Sequence, residues 1–336
     1  YFLIGRGTAP SPGPGAQQTA SSIPLSRIWE KGGMVQSEET DIFSPAVSGG
    51  NIFAIKEENG SGRLAAISAQ SGDVLWMSNT PCSGYICADS RTVFAVAKER
   101  PGYRNLLAFD AETGRKKWTY RQPLLRTAGT NSTAVLHKNY VCWNANAVIY
   151  VLDRDTGRLF WKKDLSAEGP VSRPATADRQ LYFSTNRNTY AVDLATGETI
   201  WRQKHNERFL RPQRPIIRHS SDRLFLSYFT SGEDGAVECR DPSTGKRLWK
   251  KQTNASIHMT IVDQRIFLRS SHILALDIKE GKKLWRLETN GCGPMTSDSD
   301  CLYFIETGKT DQLICADTTT GNIHWASSVE RSCSAF

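Results

Sequence analysis

The stretch "LDRDTGRLFW" at residues 152–161 decides the fold, because close copies of it recur along the chain. One copy, "FDAETGRKKW", occupies residues 109–118, and another, "LDIKEGKKLW", occupies residues 276–285. In every copy a Trp follows a Gly by four positions, and successive Trp residues of the copies lie 36 to 48 positions apart. Similarity at such a period indicates a repeat architecture built from one supersecondary unit.

The complete set has seven Gly-x-x-x-Trp copies, and six of them carry an Asp four residues before the Gly. The Trp residues are Trp76, Trp118, Trp161, Trp201, Trp249, Trp285 and Trp325. The Asp residues are Asp110, Asp153, Asp193, Asp241, Asp277 and Asp317. An Asp carboxylate accepts backbone N–H groups in a tight turn, and Gly adopts a left-handed conformation that other residues resist. The motif therefore predicts a hairpin, followed by a Trp that packs one repeat against the next.

Apolar runs around each hairpin predict four strands per repeat. The third strand, such as "VIYVLD" (148–153), ends at the Asp, and the Trp lies on the fourth. A second strand such as "QLYFST" (180–185) and a first strand of small residues such as "RPATA" (173–177) come before them. Alternation of apolar residues at period two is typical of strands. Four short antiparallel strands at this spacing predict an all-β protein, a β-propeller of four-stranded blades.

The two ends of the chain set the predicted number of blades. The segment "RIWEK" (27–31) matches a fourth strand through Trp29, but Leu25 stands where the hairpin Gly would be. The segment "SCSAF" (332–336) matches a first strand. We therefore expect seven complete blades and a partial eighth that the N-terminal strand closes, with a C-terminal truncation in that last blade. A seven-bladed ring with additional end segments is the alternative.

Residues 1–22 differ in composition from the rest of the chain. They begin with the apolar "YFLIG" and continue into "APSPGPGAQQTASS", which contains no charge. Such a Pro/Gly/Ser-rich segment predicts a flexible tether that follows a membrane anchor or signal, with a single propeller domain over 23–336. A tail without a role is the alternative. The tether favours an extracytoplasmic protein, periplasmic or at the cell surface, that is held near a membrane.

Charge and cysteine content limit the classes of function. The chain of 336 residues has a formal net charge of +8, with basic and acidic residues interleaved. This charge favours anionic partners, but no continuous basic stripe or reading motif points to nucleic acid. The eight Cys residues include no CxxC pair, so we expect buried free thiols rather than a metal site. Cys292 and Cys333 follow their Trp residues at corresponding positions, and a disulfide between them is a further hypothesis.

The recurring A-L-D-x-x-T-G-x-x-x-W pattern over residues 27–336 resembles the repeat of the PQQ-like, or quinoprotein-type, β-propeller family. That family contains PQQ-dependent dehydrogenases, non-enzymatic propeller lipoproteins of outer-membrane assembly, and propeller domains of receptor kinases. The resemblance implies, for an enzyme, a quinone held over the central channel by calcium with Glu, Asn and Asp ligands, a catalytic Asp and often a vicinal Cys-Cys pair.

This chain departs from the enzymatic pattern, since its first strands are short of carboxylates and it has no Cys-Cys pair. The residues that the first strands and the segments leading into them offer are Ser44, Asn131, Ser132, Ser172, Arg173, Arg214, His258, Pro294 and Ser332. Calcium prefers several converging oxygens. We therefore expect no cofactor and a closer resemblance to the non-enzymatic assembly lipoproteins, with PQQ plus calcium as the alternative.

The candidate binding residues lie on the loops that lead into the first strands and at the channel mouth. The longest repeat contains the basic segment "RQKHNERFLRPQRPIIRH" (202–219). Arg side chains recognise carboxylates and phosphates through paired hydrogen bonds. The predicted binding residues are Asn131, Arg173, Arg208, Arg211, Arg214 and His258. A solvated loop without a ligand is the alternative for the Arg cluster.

These patterns lead to one functional hypothesis and two alternatives. The first is a non-enzymatic binding or scaffolding propeller, expected to be monomeric, that takes a protein or an anionic ligand on its loop face. The second is the ligand-sensing propeller of a membrane-anchored receptor kinase. The third is a PQQ-dependent dehydrogenase.

Overall fold

The structure is a computed structural model that describes residues 2–5, 26–30, 45–58, 61–82, 85–97, 104–122, 132–205, 215–229, 234–254, 258–308 and 310–329. All regular structure in these ranges is β-strand. No helix in the described ranges is long and apolar enough to cross a membrane.

Seven four-stranded antiparallel sheets, here called blades 1 to 7, follow a two-stranded sheet at the N-terminus. The N-terminal pair is β1 (Phe2–Gly5) and β2 (Ser26–Glu30). Blade 1 consists of β3 (Ala46–Ser48), β4 (Asn51–Glu58), β5 (Ser61–Ser68) and β6 (Val74–Pro81). Blade 2 consists of β7 (Ile86–Ala88), β8 (Thr92–Ala97), β9 (Asn105–Asp110) and β10 (Lys116–Arg121). Blade 3 consists of β11 (Ser132–His137), β12 (Tyr140–Ala145), β13 (Val148–Asp153) and β14 (Leu159–Asp164).

The remaining four blades have the same strand order. Blade 4 consists of β15 (Ala175–Ala177), β16 (Gln180–Ser184), β17 (Asn188–Asp193) and β18 (Thr199–Lys204). Blade 5 consists of β19 (Ile216–Ser220), β20 (Arg223–Phe229), β21 (Asp234–Arg240) and β22 (Arg247–Asn254). Blade 6 consists of β23 (His258–Val262), β24 (Arg265–Arg269), β25 (His272–Asp277) and β26 (Lys283–Glu288). Blade 7 consists of β27 (Cys292–Ser297), β28 (Cys301–Glu306), β29 (Asp311–Asp317) and β30 (Ile323–Val329). The predicted all-β fold and the seven complete blades are confirmed.

The hairpin between the third and fourth strands has the geometry that its motif predicts. In blade 3, Asp153 Oδ1 accepts hydrogen bonds from the Thr156 backbone N–H at 2.8 Å and from the Thr156 hydroxyl at 2.7 Å. The Gly157 N–H donates to the Asp153 carbonyl at 2.9 Å, and Gly157 has a φ of 71°. The Asp therefore closes the turn by its side chain and its backbone together.

The Trp of one blade packs on the hairpin of the next blade. Trp118 of blade 2 donates its indole N–H to the Arg154 carbonyl at 3.1 Å. A β-carbon placed on Gly157 would lie 2.6 Å from Trp118 Cδ2, so only Gly leaves room for this ring. The same indole hydrogen bond recurs from Trp76, Trp161, Trp201 and Trp285 to the following blade. The predicted packing of these five Trp residues between blades is confirmed.

A β-bulge precedes the Trp in every blade. In blade 3, Val151 pairs with Trp161 and Leu152 pairs with Leu159, which leaves Phe160 as the extra residue. The bulge reverses the alternation of side chains, so the Trp points at the neighbouring blade while Phe160 is exposed.

The described chain divides into two compact units, Gly33–Ala255 and the combination of Tyr1–Gly32 with Ser256–Phe336. In the first unit, blades 1 to 5 are joined through contacts between their first strands, β3, β7, β11, β15 and β19. In the second unit, β23 and β27 are in contact in the same way. The fourth strand lies at the end of each four-stranded sheet opposite to the first strand, and it is therefore the outer edge.

Part of the expected tether forms a β-strand. The strand Phe2–Gly5, inside the predicted tether over 1–22, pairs with the strand that contains Trp29. Leu3 pairs with Trp29 and Ile4 pairs with Arg27, which leaves Ile28 as the extra residue. The extra residue also directly precedes the Trp at the bulge of each complete blade. Residues 6–25 and 330–336 lie outside the described residues, and closure of an eighth blade stays a prediction.

The described cysteines agree with the expectation of free thiols. Cys82, Cys142, Cys239 and Cys315 are buried, Cys87 and Cys301 are partly buried, and none of these six described residues forms a disulfide. The proposed partner of Cys292, Cys333, lies outside the described residues. That disulfide therefore stays a hypothesis.

Candidate functional site

The loop that leads from blade 3 into blade 4, residues 165–174, forms the centre of the candidate site and is called the blade 4 loop. Its Leu165 N–H donates to the Ala147 carbonyl at 2.9 Å, and its Val171 N–H donates to the Asn146 carbonyl at 2.8 Å. Its Ser172 N–H donates to the carbonyl of Ser184 in the second strand of blade 4 at 2.8 Å. The backbone of the loop is thus fixed to both blades.

Glu168 is the main polar anchor of the blade 4 loop. Its Oε2 accepts hydrogen bonds from the Thr185 hydroxyl at 2.8 Å and from the Asn188 side-chain amide at 2.7 Å. Its Oε1 accepts from the Tyr190 hydroxyl at 2.5 Å and from Arg202 Nη2 at 2.8 Å. Four donors therefore occupy both oxygens of one carboxylate, of which 13% is exposed.

The surroundings of Glu168 keep it ionised. Burial alone raises the pKa of this carboxyl, but the hydrogen bonds from Tyr190, Asn188 and Thr185 and the charge of Arg202 outweigh it. The pKa of Glu168 therefore lies below its usual value. Burial and the neighbouring carboxylate raise the pKa of Tyr190, so this phenol stays protonated and donates. Glu168 and its four donors therefore form a hydrogen-bonded cluster that holds the blade 4 loop in place.

Arg173, at the inner end of the blade 4 loop, lies on an aromatic ring from blade 2. Its guanidinium carbon is 4.4 Å from the ring centroid of Tyr85. Tyr85 is 6% exposed, while Arg173 is partly exposed. A guanidinium stacked on an aromatic face loses little freedom when it forms further hydrogen bonds. Arg173 and Tyr85 thus place a preoriented cation at the point where the first strands of blades 2 and 4 begin.

Buried polar residues of blade 3 form hydrogen bonds with one another and with the backbone of the blade 4 loop close to Arg173. Asn144 accepts a hydrogen bond from the Thr133 N–H at 2.9 Å and donates one to the Val171 carbonyl at 3.1 Å. Trp143 donates its indole N–H to the Ser132 hydroxyl at 2.5 Å. These hydrogen bonds satisfy buried polar groups of blade 3 and tie the backbone at Val171, two residues before Arg173, to Asn144.

The arrangement suits the binding of an anionic group better than it suits bond-making chemistry. A stacked Arg offers paired donors to a carboxylate. Glu168, the carboxylate of the same loop, is fully engaged by its four donors. Neither residue is placed as a general acid, a general base or a nucleophile against a partner of matching geometry.

Blade 5 contains a buried polar group at which no binding residue was predicted. Glu238 and Arg240 have side chains that are 4% and 10% exposed, with Arg240 Nη2 lying 2.5 Å from Glu238 Oε2. The Tyr228 hydroxyl donates to Glu238 Oε1 at 2.6 Å, and Arg247 Nη1 donates to the same oxygen at 3.2 Å. The signal in the sequence is "AVECRD" (236–241), where other third strands carry apolar residues at both positions.

His205, at the end of the fourth strand of blade 4, belongs to the same region. Burial and the positive charge of Arg240 lower the pKa of His205 to about 4. The ring is therefore neutral in the folded protein at neutral pH. Its Nε2 lies 3.4 Å from the Thr189 hydroxyl.

The structure places the predicted binding residues in three groups. Arg173 lies at the site described above. Asn131, Arg208, Arg211 and Arg214 lie outside the described residues, so their part in binding stays a prediction. His258 begins β23 in the other compact unit and is partly exposed.

The donor set of the described residues does not fit calcium with PQQ. Ser132 at the start of β11 and Ser172 and Arg173 in the blade 4 loop supply hydroxyls and a cation but no carboxylate. Among the residues that the structure describes, no group of three or more His, Cys, Asp or Glu side chains is arranged to hold a metal ion. Calcium needs several converging oxygens, and a guanidinium at the site opposes it.

A comparison with known protein families matches nearly all of the chain. The family profile described as outer membrane protein assembly factor BamB matches residues 25–189, 145–227, 190–303 and 269–335. These overlapping matches include the seven repeats and the strand that contains Trp29.

Two curated relatives have low sequence identity. An outer membrane protein assembly factor BamB from Shewanella oneidensis is 27% identical over 44% of this chain and 40% of its own length. A quinoprotein ethanol dehydrogenase from Pseudomonas aeruginosa is 26% identical over 44% of this chain and 20% of its own length. The chain thus spans less than half of the length of either relative in these alignments.

Among solved structures, BamB from Moraxella catarrhalis has a TM-score of 0.64 at 15% identity. The similarity covers 88% of this chain and 91% of that chain. At this identity the similarity concerns the fold.

Proposed function

This chain belongs to the family of outer membrane protein assembly factor BamB, and from that premise we propose that it is a non-enzymatic scaffold that binds proteins during outer-membrane assembly. The proposal places it outside the cytoplasm, in the periplasm, near the membrane that it serves. The observation that carries the proposal is the stacking of Arg173 on Tyr85 beside a loop whose polar groups are satisfied internally.

Such a surface favours protein binding for a physical reason. Arg and Tyr are enriched among residues that dominate protein interfaces, and a rigid surface loses little entropy on binding. Arg173 is the residue that would pair with a carboxylate of a partner, with Tyr85 holding its orientation. The partner chemistry is thus an acidic side chain or a free carboxyl terminus of another protein.

The scaffold role can be tested by complementation. The chain would be exported to the periplasm of a Gram-negative strain that lacks its own assembly factor of this family. The readout is the amount of folded outer-membrane β-barrel protein, resolved by its heat-modifiable gel mobility. We expect the wild-type chain to restore this amount, and Arg173→Ala to lose most of the restoration while the protein remains folded.

The matched control is Arg179→Ala, because Arg179 is exposed on a turn of the same blade at the opposite end of its strands. It is expected to behave like the wild type. Failure of the wild type to restore assembly, or full restoration by Arg173→Ala, would contradict the proposal.

The dehydrogenase alternative has a direct test. Purified protein would be incubated with PQQ and calcium and assayed with ethanol and an artificial electron acceptor. We expect no dye reduction above the level without protein, because the described donors do not form a calcium site. Ethanol-dependent dye reduction would overturn the non-enzymatic assignment.

A further inference from the structure

The outer strands of blades 2 to 5 are strongly basic. The strands β10, β14, β18 and β22 together contain ten Lys or Arg residues and one acidic residue, Asp164. These blades are consecutive and lie in the same compact unit. We call this surface the basic band. Its basic residues are Lys116, Lys117, Arg121, Lys162, Lys163, Arg202, Lys204, Arg247, Lys250 and Lys251.

Protection of the sheet edges does not account for the basic band. Lys residues on edge strands commonly prevent edge-to-edge pairing, and such a role would apply to every blade. The outer strands β6 and β30 contain no Lys or Arg at all, and β26 contains two together with Glu288. The charge is therefore concentrated on four consecutive blades rather than spread over seven.

Part of the basic band is engaged within the protein, and part faces solvent. Arg202 pairs with Glu168 at 2.8 Å, and Arg247 pairs with Glu238 at 3.2 Å. Lys116, Lys162 and Lys251 are exposed. They belong to three different blades, so the exposed positive charge extends along the band.

Exposed apolar side chains accompany this charge. Phe160, Ile200 and Leu248 occupy the bulge position before the Trp in blades 3, 4 and 5. They are 39%, 45% and 47% exposed. Each of them is the extra residue of its bulge, so the same feature that positions the Trp leaves an apolar side chain partly exposed to solvent.

We propose that the basic band binds the surface of an anionic phospholipid bilayer. Basic residues are attracted to anionic head groups, and single large apolar side chains insert at the boundary between head groups and acyl chains. One exposed apolar residue lies in each of blades 3, 4 and 5, on the same outer strands as the basic residues. Nucleic acid is disfavoured because Phe160 is the one exposed aromatic among these three bulge residues, so a stacking platform is not formed.

This inference goes beyond the scaffold role, since it concerns the outer strands rather than the blade 4 loop. The two can fail separately. If the wild-type protein does not bind vesicles, the scaffold proposal is unaffected. If Arg173→Ala fails to complement, the proposal of lipid binding is unaffected.

The test is flotation of the purified chain with phosphatidylcholine vesicles that contain or lack phosphatidylglycerol. We expect binding to the anionic vesicles, weakening as salt rises, and no binding to the neutral ones. The triple variant Lys116→Gln, Lys162→Gln, Lys251→Gln is expected to lower the partition coefficient about 100-fold, at about fivefold for each charge.

The apolar contribution has its own matched pair of variants. Phe160→Ser, Ile200→Ser, Leu248→Ser is expected to weaken binding at least tenfold, in line with the loss of three inserted side chains. Leu75→Ser, Leu284→Ser, Ile323→Ser removes equally exposed apolar residues from outer strands that lack the basic band. This control is expected to bind as the wild type does.

A control for net charge is Arg179→Gln, Lys246→Gln, Lys279→Gln, which removes three exposed charges from turns outside the band. Equal loss of binding in this control and in the band variant would overturn the proposal, since the net positive charge of the whole protein would then explain the binding to anionic vesicles. Absence of wild-type binding to anionic vesicles at low salt would also overturn it. Binding to polyglutamate without binding to vesicles would instead assign the band to an acidic protein. Circular dichroism and urea unfolding confirm that each variant is folded.

Discussion

Trp118 lies against Gly157 so closely that a β-carbon on the glycine would come within 2.6 Å of the indole ring. The two residues belong to neighbouring blades, and the indole N–H also donates to Arg154, three positions before that glycine. The hairpin Gly therefore has two functions at once. It adopts a positive φ of 71°, and it provides the surface on which the preceding blade packs.

Substitution of Gly157 by Ala should cost more than backbone strain alone. A positive φ costs a non-glycine residue about 1–2 kcal/mol, and overpacking against the ring adds about 1–3 kcal/mol. Gly50 is a matched control, since it has a φ of 77° and nothing within 4 Å of an added β-carbon. Urea unfolding should show a loss of stability clearly larger for Gly157→Ala than for Gly50→Ala. Equal losses would mean that the indole contact contributes nothing.

The repeat predicted the architecture because its determinants are local. Asp153 and Gly157 lie in one turn, and the seven copies show the same turn at a regular spacing. The sequence predicts that Trp118 packs against the next repeat, but it does not indicate that Gly157 is the residue that it meets there. The same holds for the site. Arg173 was predicted from its position before a first strand, but nothing in the sequence linked it to Tyr85 in blade 2.

The buried pair Glu238 and Arg240 should be strongly coupled. Arg240→Leu leaves the Glu238 carboxylate buried without its main partner and is expected to cost about 3–5 kcal/mol. Blade 6 carries Leu274 and Leu276 at the equivalent positions, so Leu is compatible with this part of a blade. The double variant Glu238→Leu, Arg240→Leu should therefore be more stable than Arg240→Leu by at least about 2 kcal/mol.

A double-mutant cycle in urea measures this coupling, with Glu238→Leu as the remaining single variant. Losses that simply add in the double variant would contradict a mutual dependence of the two charges.

Loss of the Glu168 charge should loosen the blade 4 loop. Glu168→Gln removes the ion pair with Arg202 and replaces an oxygen acceptor by a donor group, with an expected cost of about 1–3 kcal/mol. Hydrogen exchange measured by mass spectrometry should accelerate in peptides that cover 165–174. Glu198→Gln, at an exposed position in a turn of the same blade, should leave this exchange unchanged. Unchanged exchange in Glu168→Gln would show that the backbone hydrogen bonds alone fix the loop.

His205 should make the folded protein less stable as the pH falls. Its folded-state pKa is lowered from 6.5 to about 4 by burial first and by the charge of Arg240 second. Between these two values the unfolded chain binds more protons than the folded chain at this residue. Stability is therefore complete above about pH 6.5 and is lost progressively towards about pH 4, by at most about 3 kcal/mol from this residue.

Urea unfolding from about pH 7.5 to about pH 4.5 should show a smaller loss of stability for His205→Gln than for the wild type. Some dependence on pH should remain, because burial also lowers the pKa values of His219 and His272. The comparison at the upper end of this range serves as the control, since His205 is neutral in both states there. Equal losses in the two proteins would show that His205 has the same pKa in the folded and the unfolded chain, and would contradict its burial beside Arg240.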